Sequence, residues 1–223
     1  MLELNRCYNM DCMEGMAQFP DGYFDLAVVD PPYGGITKGG YMVNNQSCNR
    51  LARNKDYHTG LWSQTAPGKE YFDELRRVSR NQVIWGGNYF TTLIAQDSQG
   101  WIVWDKENGA NRFADCELAW TSFDVATRIF RFRWSGMLQG NMANKEIRIH
   151  PTQKPVALYR WIFSRYANPG DKILDTHLGS GSSRIAAYEA GLDFIGFEID
   201  PDYYEAEERR FQAFASQYSL FHS

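Results

Sequence analysis

An α/β fold with a mostly parallel central sheet is what this 223-residue sequence predicts. Two stretches carry that expectation. Phe24-Asp25-Leu26-Ala27-Val28-Val29 is a short apolar run that stops at Asp30-Pro31-Pro32, as a buried strand does when proline ends its ladder. Near the other end, strand Lys172–Asp175, glycine loop Thr176–Gly181, a helix over 182–190 stopped by Gly191, and strand 194–198 follow in turn. Strands that alternate with helices build α/β sheets whose strands run largely in parallel.

The remaining elements are read in chain order. Residues 34–68 are rich in Gly, Asn, Ser and Gln and weakly periodic, which predicts a long loop of the kind that usually serves function. A helix near 70–79, a strand at 82–85, a helix around 89–96 and a strand at 101–104 follow. The stretches 117–123 and 127–134 predict two strands joined by a tight turn. In the second, Phe130, Phe132 and Trp134 alternate with Arg131 and Arg133, giving one aromatic and one basic face. Pro155 opens a helix to Tyr166 from a favoured first-turn position, and a helix over 202–216 closes the chain. The whole length suits one domain, 1–223.

Bulk composition narrows the function classes. No stretch approaches the roughly 20 apolar residues that span a bilayer, and the start lacks a charged leader with an apolar run. The four cysteines have neither zinc-type nor redox spacing and are too few for a disulfide scaffold, so a reducing compartment and no metal are expected. The net charge of −4 argues against a protein that coats nucleic acid indiscriminately. Basic residues are nonetheless concentrated between Ile36 and Lys69 and between Thr127 and His150, enough to present one positive face to phosphates.

Two chemical sites stand out. In 175–198, a strand, the loop Leu178-Gly179-Ser180-Gly181, a helix start and Glu198 ending the next strand make the nucleotide-binding half of a doubly wound, Rossmann-like sheet. Glycines let a ligand approach the backbone, and a carboxylate about 20 residues on can accept both ribose hydroxyls. The third glycine of the dinucleotide fingerprint and the Gly-Lys-Ser/Thr of a triphosphate loop are both missing. A cofactor with a ribose but no pyrophosphate fits best, and S-adenosylmethionine is the obvious one.

The second site is Asp30-Pro31-Pro32-Tyr33. A base amine is a weak nucleophile because its lone pair is delocalised into the ring. A carboxylate and a backbone carbonyl accepting its two N–H bonds draw the nitrogen toward tetrahedral geometry and free the pair. The prolines hold the loop rigid, and the Tyr33 ring can stack on a base turned out of a duplex.

Asp30-Pro31-Pro32-Tyr33 resembles the catalytic signature of the amino-group DNA methyltransferases. His150-Pro151-Thr152-Gln153-Lys154-Pro155 is similar to that family's segment ahead of the cofactor loop, Asp175–Gly181 to the loop itself, and Gly196-Phe197-Glu198 to its ribose-binding acid. The catalytic loop precedes the cofactor loop, which is the permuted order of the β class. The resemblance implies a Rossmann-like, S-adenosylmethionine-dependent methyltransferase fold that acts on the exocyclic N6 amine of adenine in DNA, without a metal.

Asp30, Pro31, Pro32 and Tyr33 are then expected at the target amine. Asp175, His177, Gly179, Ser180, Gly181 and Glu198 are expected around the cofactor, with Thr152, Gln153 and Lys154 closing over it. Thr176-His177 departs from the family's usual Asp-Pro-Phe. Adenine is preferred to cytosine because cytosine-N4 members usually carry Ser where Asp30 stands.

Insertions at about 36–69 and 127–149 are expected to read DNA, with Arg50, Arg53 and Lys55 on phosphates and Arg131 and Arg133 along the groove. Double-stranded DNA with a flipped base, pairing of two copies of the chain, and the cytoplasm of a bacterial or phage-infected cell complete the expectations. A cytosine-N4 DNA methyltransferase, action on RNA or single-strand adenine, a catalytically silent nucleic-acid-binding subunit and a dehydrogenase-like nucleotide enzyme are the alternatives.

Overall fold

The computed structural model describes residues 1–34, 65–109, 114–135 and 138–222. Ten strands and six helices are formed among them: β1 (Arg6–Asn9), α1 (Cys12–Met16), β2 (Phe24–Val29), α2 (Lys69–Val78), β3 (Ser79–Trp85), α3 (Thr91–Ile94), β4 (Ile102–Asp105), β5 (Cys116–Thr121), β6 (Arg128–Arg131), β7 (Trp134–Ser135), β8 (Leu138–Gln139), α4 (Val156–Tyr166), β9 (Lys172–Asp175), α5 (Ser182–Glu189), β10 (Asp193–Glu198) and α6 (Pro201–His222). Eight strands form one sheet in the order β1-β10-β9-β2-β3-β5-β4-β6, while β7 and β8 pair separately. Every neighbouring pair in the large sheet is parallel except those made by β5, which runs against both β3 and β4.

Alternation along the central strands assigns the two faces. Leu26 and Val28 of β2 pack with Val83, Ile102, Ile173 and the inner residues of α4 and α5, such as Leu158, Ile162 and Ile185. Ala27 and Val29 point the other way, onto Met16 of α1, Tyr71, Phe72 and Leu75 of α2 and Ile94 of α3. A strand buried on both faces needs the near-continuous apolar sequence that β2 has. Helix α2 shows the matching pattern for one buried stripe, with Tyr71, Phe72, Leu75 and Val78 buried and Arg76 and Arg77 in its last turn, where the helix dipole favours cations.

Two parts of the expected layout are corrected. The sequence predicts β5 and β6 as neighbours across a tight turn, yet β6 pairs with β4, in register Ile102↔Arg128 to Asp105↔Arg131. Strand β5 already has β3 and β4 on its two edges, so no ladder is left for a hairpin partner. The chain instead steps past the start of β4, where the Thr127 hydroxyl donates to the Gln99 carbonyl (2.8 Å) and the Arg128 amide to the Trp101 carbonyl (2.8 Å). The segment 127–149 therefore contributes an edge strand of the main sheet. Second, the structure adds β1 and α1, which the sequence does not predict. Asp11 caps α1, its Oδ1 accepting from the Met13 amide at 2.7 Å.

Candidate active site

Strands β9 and β2 lie side by side, paired at Leu26↔Ile173 and Ala27↔Leu174. From β9 the chain proceeds through α5 to β10 on one side, and from β2 through α2 to β3 on the other. Loops that part in opposite directions leave a crevice at the carboxyl ends of such strands. A cleft of about 720 Å³ opens there, with Asp30–Gly34 on one wall and Thr176–Ser180 on the other. That volume suits a small-molecule cofactor together with a reacting group.

On the β9 wall, Asp175 is buried and accepts from the Ser183 hydroxyl (2.5 Å) and the His177 amide (3.1 Å). Burial pushes its pKa up to about 7, despite those hydrogen bonds. Glu198, at the end of β10, accepts from the Gly179 amide at 2.8 Å and from the Asp200 amide at 2.9 Å, and burial likewise raises its pKa. Both carboxylates are thus oriented by backbone amides while Glu198 still lines the cleft. Gly181 holds φ at +69°, and a Cβ there would meet Glu207 at 2.4 Å, so no side chain fits between this turn and α6. Ser180 and Ser182 share a hydrogen bond (3.1 Å), and Arg210 of α6 donates to the Ser180 carbonyl at 2.6 Å.

His177 lies on the cleft wall with its Nδ1 2.9 Å from the Thr176 hydroxyl, whose oxygen is in turn 2.6 Å from the Tyr71 hydroxyl. Burial pushes its pKa down to about 4, so it is neutral at pH 7. Met10, Asp11, Cys12, Phe197 and Ile199 line the same region. A carboxylate, bare glycine backbone and apolar surroundings fit a nucleoside with one polar diol.

The β2 wall has a different character. Asp30 Oδ1 accepts from the Tyr33 hydroxyl at 2.7 Å, and its Oδ2 is bonded to the Lys154 ammonium. The Tyr33 ring lies 5.0 Å from that of Tyr89 and against Gly86, where a Cβ would meet it at 2.1 Å. Gly86 stands at φ +66°, a conformation glycine adopts freely, so the residue fits for two reasons.

Lys154 is also 3.2 Å from Glu117, which is 2.5 Å from Lys106. Burial alone would lower the Lys154 pKa, but Asp30 and Glu117 outweigh it and the ammonium is held. Burial alone would raise that of Glu117, but Lys154 and Lys106 bring it below the ordinary carboxylate value. Glu117 reaches the site because β5 runs backward: its first residues pair with the last of β4, Trp104↔Glu117 and Asp105↔Cys116.

The segment expected to close over the cofactor divides its residues between tasks. The Thr152 hydroxyl is 3.1 Å from His150 Nδ1, and the His150 ring stands 3.4 Å from where a Gly179 side chain would begin. These two therefore border the cofactor-loop side. Gln153 turns its carboxamide to the backbone, accepting from the Ile149 amide at 2.9 Å, and its carbonyl accepts from the Trp134 indole at 2.8 Å. Its side chain supports residues 146–149. Lys154, expected over the cofactor, also lines the cleft and places its ammonium on Asp30 of the β2 wall.

Among the expected DNA contacts, Arg131 is exposed and lies 3.4 Å from Asp105, and exposed Arg133 donates to the Glu107 carbonyl at 3.2 Å. Phe130, Phe132 and Trp134 turn inward as the alternation predicts. Arg50, Arg53 and Lys55 lie outside the described residues. Asp11 and Glu117 are site residues that sequence reasoning missed. Asp11 could have been found as a polar cap ahead of Cys12-Met13, whereas Glu117 needed the direction of β5.

Comparison with known proteins bears on this arrangement. Residues 103–209 match the model of the N6/N4-type DNA methylase family. The match spans just under half of the chain, which over that span is similar to the amino-group DNA methyltransferases. The matched span contains Lys106, Glu117, the 150–154 segment, the glycine loop and Glu198. Type II methyltransferase M.HinfI of Haemophilus influenzae is 25% identical over 254 residues, an alignment covering 93% of this chain and 68% of that protein. Type II methyltransferase M2.MboI of Moraxella bovis is 25% identical over 239 residues, covering 92% and 86%. Among solved structures, the M1.HpyAVI–SAM complex shares the fold, with a TM-score of 0.60 at 21% identity over 92% of this chain and 98% of that one. In this chain the β2 loop precedes the glycine loop and faces it across the cleft, the order expected from the sequence.

Proposed function

We propose that this chain transfers a methyl group from S-adenosylmethionine to the N6 amine of adenine in DNA. The observation that carries the reading is the cleft at the β9/β2 switch point, with the Asp30 carboxylate on one wall and the Glu198 carboxylate with its glycine loop on the other. Adenine is favoured over cytosine by Asp, rather than Ser, at position 30. S-adenosylmethionine supplies an electrophilic methyl on a sulfonium. Glu198 takes the ribose hydroxyls, and Asp175 and the Gly179–Gly181 backbone hold the methionine end, with Ser180, His177, Thr152 and the Gln153 backbone bordering it.

Chemistry follows from what Asp30 can accept. A base amine that displaces the Tyr33 hydroxyl from Oδ1 donates one N–H to Asp30 and the other to the Pro31 carbonyl. Its lone pair is then directed away from the ring and toward the methyl. Bound there, the cofactor would give up its methyl to that lone pair with the S–C bonding pair kept on sulfur, and the amine nitrogen would shed a proton to solvent. Pro31 and Pro32 keep the acceptors fixed, so positioning and electrostatics supply the acceleration. The Tyr33 ring stacks on the base.

The substrate in this reading is double-stranded DNA with the target base flipped out. Arg131, at the carboxyl end of edge strand β6 four strands from β2, and Arg133 just beyond it are assigned to the phosphate backbone, together with Arg50, Arg53 and Lys55. No helix among the described residues is long and apolar enough to cross a membrane. A cytoplasmic enzyme of a restriction–modification type, paired with a second copy that enlarges a small recognition region, fits this role.

Replacement Asp30→Ala tests the assignment. Methyl transfer should be lost while calorimetric affinity for S-adenosylmethionine stays within a few-fold. Comparable loss of both would make Asp30 a structural residue.

A further inference from the structure

Lys154 is the most deeply buried charge at the catalytic wall, with a side chain 4% exposed. Burying an ammonium is costly unless it is paired and hydrogen-bonded. Here two acids hold it: Asp30 through Oδ2, and Glu117 at 3.2 Å. It lies 5.3 Å from the centre of the Trp85 ring, whose face attracts a cation. Glu117 is fixed from behind by Lys106 at 2.5 Å. Lys106, Glu117, Lys154 and Asp30 therefore form one chain of alternating charge, two positive and two negative, running from the end of β4 to the end of β2.

The polarity of that chain at Asp30 matters. Oδ2 is taken from the protein side by Lys154, whereas among the described residues Oδ1 carries only the Tyr33 hydroxyl. A carboxylate anchored by one oxygen presents the other in a single direction. The geometry points to Lys154 as a positioning residue of methyl transfer, with Glu117 as its anchor, together fixing the Asp30 carboxylate so that Oδ1 faces the acceptor amine. This inference rests on the methyl-transfer reading above. Glu117 acts only through Lys154, and neither touches the cofactor in this role.

Steady-state transfer to DNA at saturating cofactor, with cofactor affinity measured separately by calorimetry, distinguishes the roles. K154M should lower kcat about 100-fold, the scale of an ångström-level misplacement, and leave the dissociation constant within about threefold. K154R should recover part of the loss. E117Q, which keeps shape and leaves the Lys154–Asp30 bond, should lower kcat about tenfold. The K154M/E117Q double variant should be no slower than K154M alone, because residues acting in series are non-additive.

Multiplying losses in the double variant, a K154M defect confined to cofactor affinity, or wild-type kcat in E117Q would each overturn the inference. E117Q alone decides the matter if K154M does not fold. Wild-type protein that puts no label into DNA would instead overturn the methyl-transfer reading itself.

Discussion

At the scale of single residues, environment decides what each titratable group can do. His150 is buried against Tyr203, with ring centroids 4.4 Å apart, and burial, with Lys154 nearby, lowers its pKa from 6.5 to about 4. The unfolded chain therefore binds a proton between those pH values that the folded chain does not, so acidification through this window favours unfolding. At pH 7 both states are neutral and the group has no effect. His150→Gln removes the titration. On going from pH 7.5 to 4, urea melts should show the variant gaining on the wild type by on the order of 3 kcal/mol. A constant difference across that range would mean the folded imidazole titrates normally. The residue types at this site were legible in the sequence: Asp30, Tyr33, Asp175, Gly179, Gly181 and Glu198 all line the cleft or shape its loops. Their partners were not. Lys154 stood in the right segment, but only the packed chain shows its ammonium on Asp30.

At the scale of elements, the loops do their work because strand ends are fixed and some positions admit no side chain. Gly86 ends β3 at φ +66° with the Tyr33 ring where its Cβ would be. Gly86→Ala should therefore cost about 1–3 kcal/mol of stability through backbone strain. It should also slow methyl transfer at least about tenfold by displacing Tyr33 from Asp30, with little change in cofactor affinity. Activity equal to wild type, measured at saturating cofactor, would show that the ring's place against Gly86 is immaterial. Elements flanked by clear punctuation were legible: β2 before Asp-Pro-Pro, and the strand–glycine loop–helix unit of β9 and α5. Pairing partners were less so. A turn between 123 and 127 reads as a hairpin locally, but β5 has no free edge, and that is a fact about β3 and β4 rather than about the turn. Strand β1 is only four residues long and its sequence, Arg-Cys-Tyr-Asn, carries no strong period.

At the scale of the whole molecule, the permuted chain order still closes one site, because β9 and β2 become neighbours whichever comes first in sequence. The same sheet places the basic residues of β6 four strands from β2, roughly 19 Å away at ordinary strand spacing. A surface that binds phosphates at that distance from the catalytic loop should release counterions. Replacing Arg131 and Arg133 together by Ala should flatten the slope of log affinity against log salt by about 2, with an unchanged slope removing this strand from the interface. Fold class and motif order could be read at this scale from sequence alone, since both follow from the succession of elements. How DNA reaches the cleft could not, because it depends on surfaces assembled from distant segments.

As proposed, the N6 amine of adenine in DNA receives the methyl group at Asp30. Incubation with labelled S-adenosylmethionine and unmethylated genomic DNA, followed by digestion to nucleosides, tests it most directly. The label should co-migrate with N6-methyladenosine in its deoxy form and disappear with Asp30→Ala. Label in N4-methylcytosine, or DNA that stays unlabelled by a protein that binds the cofactor, would contradict it.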